Sequence, residues 1–337
     1  DEIKAMFKKD KLQIIPFKTY GTLTHMYLRG RTLEDENIDI NKKGIWPVFI
    51  STWKRFETDE VRFASINIQI ENKEQEQAVT DSEGYYIFNK KVENLSGIVS
   101  REGWVSYKVA YAKPEEYSKR IVSENRFYGE MLVVLPESEY GIISDIDDTI
   151  LHTGVASKLK WKAVFNTFFV NVLHRKALEG TADFYMQLHK GKSKNNCNPV
   201  FYVSNSPWNL YKYLEVFLNG NNFPKGAILL RNLKFLFDKT PKSKISHKHH
   251  EIQNILNTYP DLSFILIGDC GEHDPDIYVD IVAKNPNRIT SIYLRSVKSI
   301  KKMQRVERLF QDYKDVDVLL VYTTEEAKNH AKKKGYI

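Results

Sequence analysis

At 337 residues, 42% hydrophobic and 28% charged, the chain is too long for one small core and too apolar for a disordered polymer, so two ordinary globular domains are expected. A formal net charge of +7 points to an anionic partner without choosing among phosphate ester, acidic lipid and nucleic acid. Two cysteines exclude a disulfide framework, and no apolar run approaches the roughly 20 residues of a membrane span.

The start, Asp1-Glu-Ile-Lys4, lacks the apolar region of a signal peptide, and since it is not Met a removed leader stays open. The expected location is cytoplasmic, with peripheral attachment to a membrane as an option. Residues 1 to about 20, with Lys8, Lys9 and Lys11, read as polar and loosely packed. From Thr22 to about Leu135 the pattern becomes one of short alternating runs. Val105, Tyr107, Val109 and Tyr111 share one strand face, and Ile66, Ile68 and Ile70 another. Thr80 to Phe88 reads as a tight turn feeding a strand, with Gly84 free to take positive φ. These features predict an all-β sandwich over residues 12–136. The turn, together with Leu28-Arg-Gly-Arg31, resembles small transthyretin-like or immunoglobulin-like modules, for which a structural or docking role is expected.

Glu130 to Pro136 closes this domain or crosses to the next, Pro136 to Glu139 reads as a linker, and a second domain is expected over 138–337. There, strand-like runs at Ile142, Val200 to Val203, Phe264 to Gly268, Ile289 to Leu294 and Val316 to Val321 alternate with helical stretches, the signature of a parallel sheet with crossover helices.

Three strand ends and one helix start in this domain carry chemistry. Tyr140 to Ile150 runs from apolar Ile142 and Ile143 into Asp145, Asp147 and Asp148, and ligands gather where such strands end. The spacing Asp145-x-Asp147-x-Thr149 can aim alternate side chains at one point, or can make an Asp-rich turn that caps a following helix. Two carboxylates converging there call for a hard divalent cation such as Mg2+, which would also hold a substrate phosphate. One aspartate could then attack phosphorus while its neighbour handles protons. Ser204 stands where the second run gives way to a loop, suited to bind a phosphate oxygen. In His247 to Leu256, Ile252, Ile255 and Leu256 mark a helix face and Lys248 lies near its start, where a cation either reaches to solvent or meets an anion. His247, His249 and His250 point to different sides and lack a completing ligand set, so zinc is disfavoured. Ile267 to Asp276 places Asp269 and Asp274 five apart in an expected loop, both able to ligate the same cation, with Pro275 in the first turn of a helix starting near Asp276.

Together, Asp145-x-Asp147-x-Thr149, Ser204, Lys248 and Gly268-Asp269 with Asp274 resemble the haloacid-dehalogenase superfamily of phosphotransferases. More narrowly, Ser144 to Ile150, Tyr202 to Trp208, His247-Lys248 and Ile267 to Tyr278 look like the catalytic domain of the actin-patch type phosphatidate phosphatase family, related to lipins. The resemblance covers about residues 138 to 300. It implies a Rossmann-like α/β haloacid-dehalogenase domain with a small helical insertion. Asp145 would be the nucleophile that becomes an aspartyl-phosphate, and Asp147 the acid and then base, with Thr149 counted in the catalytic set. Ser204 and Lys248 would bind the phosphoryl group, and Asp269 and Asp274 would anchor Mg2+ beside Asp145 and Asp147. Lys239, Lys242 and Lys244 lie near Lys248, which the His-Lys pair and its helix start favour. Cys270 and Glu272 stand where a serine and a glutamine are expected in relatives.

Trp161 to Leu173 sets apolar residues at helical spacing between basic ends, either a core helix or a surface that lies on an anionic bilayer. The expected activity is Mg2+-dependent hydrolysis of phosphatidate or a related lipid phosphate, with nucleic acid disfavoured as partner and the oligomeric state left open. The alternatives are a phosphatase of another phosphomonoester, such as a nucleic-acid end or small metabolite, and a Mg2+-stabilised lipid-binding module. The presence of both Asp145 and Asp147 argues against the last.

Overall fold

The computed structural model describes residues 11–35, 60–71, 73–146, 180–194, 197–231, 246–270, 273–296 and 299–337. The chain divides into two compact units, the first ending at Val133 and the second beginning at Val134.

In the first unit the alternating runs form strands β1 (Lys11–Pro16), β2 (Thr19–Thr22), β3 (His25–Asp35), β4 (Ser65–Ile70), β5 (Glu76–Val79), β6 (Tyr85–Lys91), β7 (Trp104–Tyr111) and β8 (Phe127–Val133). They make one hydrogen-bonded sheet in the order β1-β3-β2-β8-β7-β4-β5, with β6 on the free side of β3. Every pairing is antiparallel except that of β2 with β8. Leu12 and Ile14 of β1, Leu28 of β3, Ile66 and Ile68 of β4, Phe88 of β6, Val105 and Tyr107 of β7 and Met131 of β8 share a single core. Strands far apart in the sheet order therefore face one another, and the sheet must curl over its own inner face. Each fully buried aliphatic side chain here contributes about 1.5–3 kcal/mol. Lys11 to Pro16 corrects the expectation of a loosely packed start: Leu12, Ile14 and Ile15 are buried, and β1 pairs with β3 along its whole length. Gly84 takes φ +75° in the turn before β6, and a Cβ there would lie 2.4 Å from the Thr32 carbonyl oxygen. Glycine is required at that position.

The second unit contains strands β9 (Gly141–Asp145), β10 (Val200–Pro207), β11 (Ala227–Arg231), β12 (Phe264–Asp269), β13 (Ile289–Arg295) and β14 (Asp317–Val321). Its helices are α1 (Thr181–Lys190), α2 (Tyr211–Gly220), α3 (His247–Thr258), α4 (Asp274–Lys284), α5 (Ile300–Phe310) and α6 (Thr324–Lys334). The six strands run parallel in the order β11-β10-β9-β12-β13-β14. Their near-continuous apolar runs follow from burial on both faces of such a sheet. Chain order advances outward from β9 through β10 to β11 on one side, then restarts at β12 and advances the other way. Such a reversal, here at the carboxyl ends of β9 and β12, is where open α/β sheets bind ligands. No helix among the described residues is long and apolar enough to cross a membrane.

Candidate active site

Because the sheet is parallel, every strand delivers its carboxyl end to the same edge, and the chemistry-bearing residues collect there. Asp145 is the last residue of β9 and Asp269 the last of β12. In register, Asp145 lies level with Val203 of β10, and Ser144 level with Ile267 of β12. Asp145 is 1% exposed and Asp269 5%, so both carboxylates are withdrawn from water at the reversal point.

Helix α3 supplies the compensating charge. Ser246 caps it, its hydroxyl accepting from the His249 N–H at 3.2 Å, and Ile252, Ile255 and Leu256 bury its inner face. This seats Lys248 in the first turn pointing inward, 1% exposed. Its ammonium donates to Asp145 Oδ1 at 2.8 Å and to Asp274 Oδ1 at 2.5 Å. Burial alone pulls the Lys248 pKa down, but the charges of Asp145 and Asp274 and the hydrogen bonds to them outweigh it, and the net displacement is upward. Of the four lysines weighed from the sequence, Lys248 is the one placed on Asp145, while Lys239, Lys242 and Lys244 lie outside the described residues.

Asp274 does not sit in a loop, as its spacing from Asp269 suggested, but in the first turn of α4, which begins two residues earlier than expected. Pro275 suits that turn, having no N–H to leave unpaired, and the helix dipole favours an aspartate there. The second Asp274 oxygen accepts from the Asp269 N–H at 3.1 Å, so one carboxylate clamps the end of β12 and the Lys248 ammonium together. Gly268 makes this approach possible: a Cβ on it would stand 2.6 Å from Asp274 Oδ2 and 2.8 Å from Tyr278 Oη. Tyr278, one turn along α4, donates to the Ile267 carbonyl at 2.9 Å. Behind Asp145, the Ser144 hydroxyl donates to the Asp145 carbonyl at 2.7 Å and lies 2.6 Å from Tyr185 Oη on α1. Tyr278 is pushed well above the ordinary 10.0, first by burial and then by the charges of Asp274 and Asp145, so its phenol stays a neutral donor. Tyr185 is absent from the sequence expectations, and Ser144 and Tyr278 enter them only as members of the Ser144 to Ile150 and Ile267 to Tyr278 motifs. For Tyr278 the signal was there, since Asp274 and Tyr278 are four apart and share a helix face.

Ser204 lies within β10, not in a loop after it, because the strand continues to Pro207 past a break in its register with β11. It is fully buried, and its hydroxyl oxygen accepts from the Ser206 N–H at 2.9 Å. Asp147, Thr149 and the stripe from Trp161 to Leu173 lie outside the described residues. Of the histidines, His249 reaches Asp280 on α4 at 2.5 Å and His247 stands 3.9 Å from Glu251. Buried Cys270 donates its N–H to the Arg295 carbonyl.

Among the described residues no three Asp, Glu, His or Cys side chains are grouped closely enough to make a metal cage by themselves. The donor set nonetheless fits a hard cation. Asp145, Asp269 and Asp274 are buried carboxylates, the oxygen donors that a hard cation takes, and Lys248 bridges two of them.

Residues 140–296 match the family described as "Phosphatidate phosphatase APP1, catalytic domain". A curated relative, phosphatidate phosphatase APP1 of Saccharomyces cerevisiae, is 37% identical over 156 residues, covering 46% of this chain and 25% of the relative. An uncharacterised protein of Schizosaccharomyces pombe is 28% identical over 246 residues, 70% of this chain and 38% of that one. That alignment is longer than the second unit and so reaches into the strand-rich one. The chain spans between a quarter and two fifths of the length of these relatives. The similarity to this phosphatase family thus falls on the segment that carries Asp145, Ser204, Lys248, Asp269 and Asp274.

Proposed function

We propose that the C-terminal unit is a haloacid-dehalogenase type phosphatase that hydrolyses a lipid phosphate monoester, phosphatidate or a close relative, to the lipid alcohol and phosphate. The observation that carries the reading is the buried Asp145–Lys248–Asp274 bridge at the strand-order reversal, within the segment that matches a phosphatidate phosphatase catalytic domain. A lysine held between two carboxylates at a ligand-binding edge suits phosphoryl transfer, whose transition state spreads negative charge over the phosphoryl oxygens.

In this mechanism an Asp145 oxygen attacks phosphorus, the P–O bond to the lipid breaks, and Asp147 gives its proton to the departing alkoxide. Asp147 then takes a proton from water, whose oxygen attacks the aspartyl-phosphate; the P–O bond to Asp145 breaks, and free Asp145 and phosphate result. Lys248 and Ser204 hold the phosphoryl oxygens, with Thr149 in the supporting motif. Asp145, Asp147, Asp269 and Asp274 would hold Mg2+, which when bound neutralises phosphoryl charge and aligns the phosphate with Asp145. Asp274 keeps Lys248 and the end of β12 in fixed relation, so Lys248 is in place before substrate arrives.

The test is Mg2+-dependent phosphate release from phosphatidate in mixed micelles, beside a soluble aryl phosphate, for wild type and Asp145→Asn. Release from the lipid that vanishes in the variant is expected. Turnover of the aryl phosphate alone would keep the mechanism and remove the lipid, leaving a phosphatase of a smaller phosphomonoester. Failure on both would remove the enzyme reading.

A further inference from the structure

Helix α5 carries a pattern that the catalytic site does not use. Val306 and Phe310 are buried and Met303 is half-buried, while Lys301, Lys302, Gln304, Arg305 and Arg308 face solvent. Lys301, Gln304, Arg305 and Arg308, spaced along one helix face, line a shallow concavity of about 440 Å3 together with Leu309. Lys301 and Lys302 stand in the first turn, where the helix dipole disfavours cations, and no acidic residue offsets them there. Local helix stability therefore does not account for this placement.

Beside the basic face is an apolar one. Among the described residues of the C-terminal unit, two large hydrophobic side chains are strongly exposed, Ile300 at 67% and Tyr322 at 65%. Ile300 opens α5, and the Tyr322 hydroxyl reaches Met303 Sδ at 3.2 Å, which lays that ring along the same helix. Both follow the carboxyl ends of strands, β13 and β14, and so lie at the sheet edge that carries Asp145 and Asp269. Arg305 also pairs with Asp276, two residues from Asp274, tying the basic face to the helix that carries the site.

We propose that α5 and Tyr322 form the surface by which this unit docks on an anionic lipid bilayer, presenting the carboxylate-bearing edge to the membrane. This deepens the lipid-phosphatase reading and rests on it for its purpose, though not for its chemistry. Exposed Ile300 and Tyr322 enter the headgroup boundary, where an isoleucine loses water contact and tyrosine keeps its hydroxyl wet. Lys301, Lys302 and Arg308 meet the negative surface potential around them. The basic stripe and the apolar pair each suit such a surface, and their adjacency suits it better than either alone.

The experiment compares Lys301→Glu/Lys302→Glu, in the first turn of α5, with Lys332→Glu/Lys333→Glu in sedimentation with vesicles of phosphatidylcholine containing phosphatidylserine, and with vesicles of phosphatidylcholine alone. Both double variants change net charge equally. However, Lys332 and Lys333 end α6 beside Lys334, which pairs with Asp317 at the start of β14, so they lie at the opposite sheet edge. The α5 variant is expected to lose about 25-fold or more in partitioning onto the acidic vesicles, and the α6 variant much less. Hydrolysis of a soluble aryl phosphate should stay at the wild-type rate in both, which also reports that they fold. Ile300→Ser/Tyr322→Ser should weaken the binding that survives in high salt. Equal losses in both charge variants, or wild type that ignores acidic vesicles, overturn the docking surface while leaving the phosphatase reading standing. Vesicle binding that depends on α5 in a protein that releases phosphate from nothing would keep the surface and remove the phosphatase.

Discussion

In the strand-rich unit the buried polar side chains Arg31, Thr32 and Thr80 tie strands to the loops beside them, whereas the parallel-sheet unit buries four charged groups, Asp145, Lys248, Asp269 and Asp274, at one edge. Thr32 donates to the Val61 carbonyl at 2.7 Å, and Thr80 donates to the same carbonyl at 3.0 Å while accepting from the Ala64 N–H at 2.8 Å. Arg31 meets the Glu83 carbonyl and the Glu60 carboxylate, each at 3.1 Å. These bonds settle backbone groups that the sheet leaves over. Asp145 and Asp274, in contrast, share the Lys248 ammonium beside Asp269, at a place where well-packed apolar residues would be at least as stable. Buried charge that stability does not require, placed at a ligand-binding edge, is what a catalytic site looks like before any substrate is considered.

Asp145→Asn breaks the comparison most sharply, because it separates chemistry from stability. An amide cannot attack phosphorus, so phosphate release should fall by roughly three orders of magnitude or more. Its oxygen can still accept from Lys248, and the variant should unfold within about 1 kcal/mol of wild type in urea. A large loss of stability would mean that Asp145 is chiefly a structural ion-pair partner.

Lys248→Met should do the reverse to stability. It leaves Asp145 and Asp274 buried without their ammonium, at a cost of about 3–5 kcal/mol, and abolishes activity as well. In the wild type the Lys248 pKa stands above its ordinary 10.5. The bridge therefore contributes fully below that pH and is lost only as pH climbs through the higher folded value. A steeper alkaline loss of stability in wild type than in the variant, which keeps the contribution of the buried tyrosines, checks the sign. Thr80→Val probes the other unit, where it strands the buried Ala64 N–H and should cost about 1–3 kcal/mol, read as a lower urea midpoint.

How far these features could be read from the chain depended on whether the signal was local. Ile142 and Ile143 running into Asp145, and Phe264 to Gly268 running into Asp269, announced two strands and their acidic ends because a buried parallel strand is a short apolar run that must stop somewhere. Val105, Tyr107, Val109 and Tyr111 were legible through alternation, as was α3 through Ile252, Ile255 and Leu256. Strand β11 was missed: its Ala-Ile-Leu-Leu core is too short to alternate and is told from a helix only by its neighbours. Strand β1 was hidden by Lys11 and by Lys8 and Lys9 before it in the sequence, since Leu12 and Ile14 alternate over too few residues to outweigh them. The Lys248 bridge was open only in outline, because Asp145 and Lys248 are 103 residues apart and nothing local specifies which carboxylates a helix-start lysine will meet.

Tyr278→Phe should have the smallest effect, and it tests whether the edge is a rigid frame or only a set of ligands. The change removes one hydrogen bond, from Tyr278 Oη to the Ile267 carbonyl, and leaves the ring that packs beside Gly268. A net loss of about 1 kcal/mol is expected. If the bond works by fixing α4 and Asp274 against the end of β12, kcat should fall several-fold with KM for the aryl phosphate unchanged, since binding groups are intact and only their alignment loosens. Because burial and the nearby carboxylates hold the phenol protonated past its ordinary 10.0, wild type and variant should differ by a constant factor from about pH 6 to 9. A ratio that changed across that range would mean that Tyr278 exchanges protons in the reaction, and the frame would then have to be sought in the Ser144–Tyr185 contact behind Asp145.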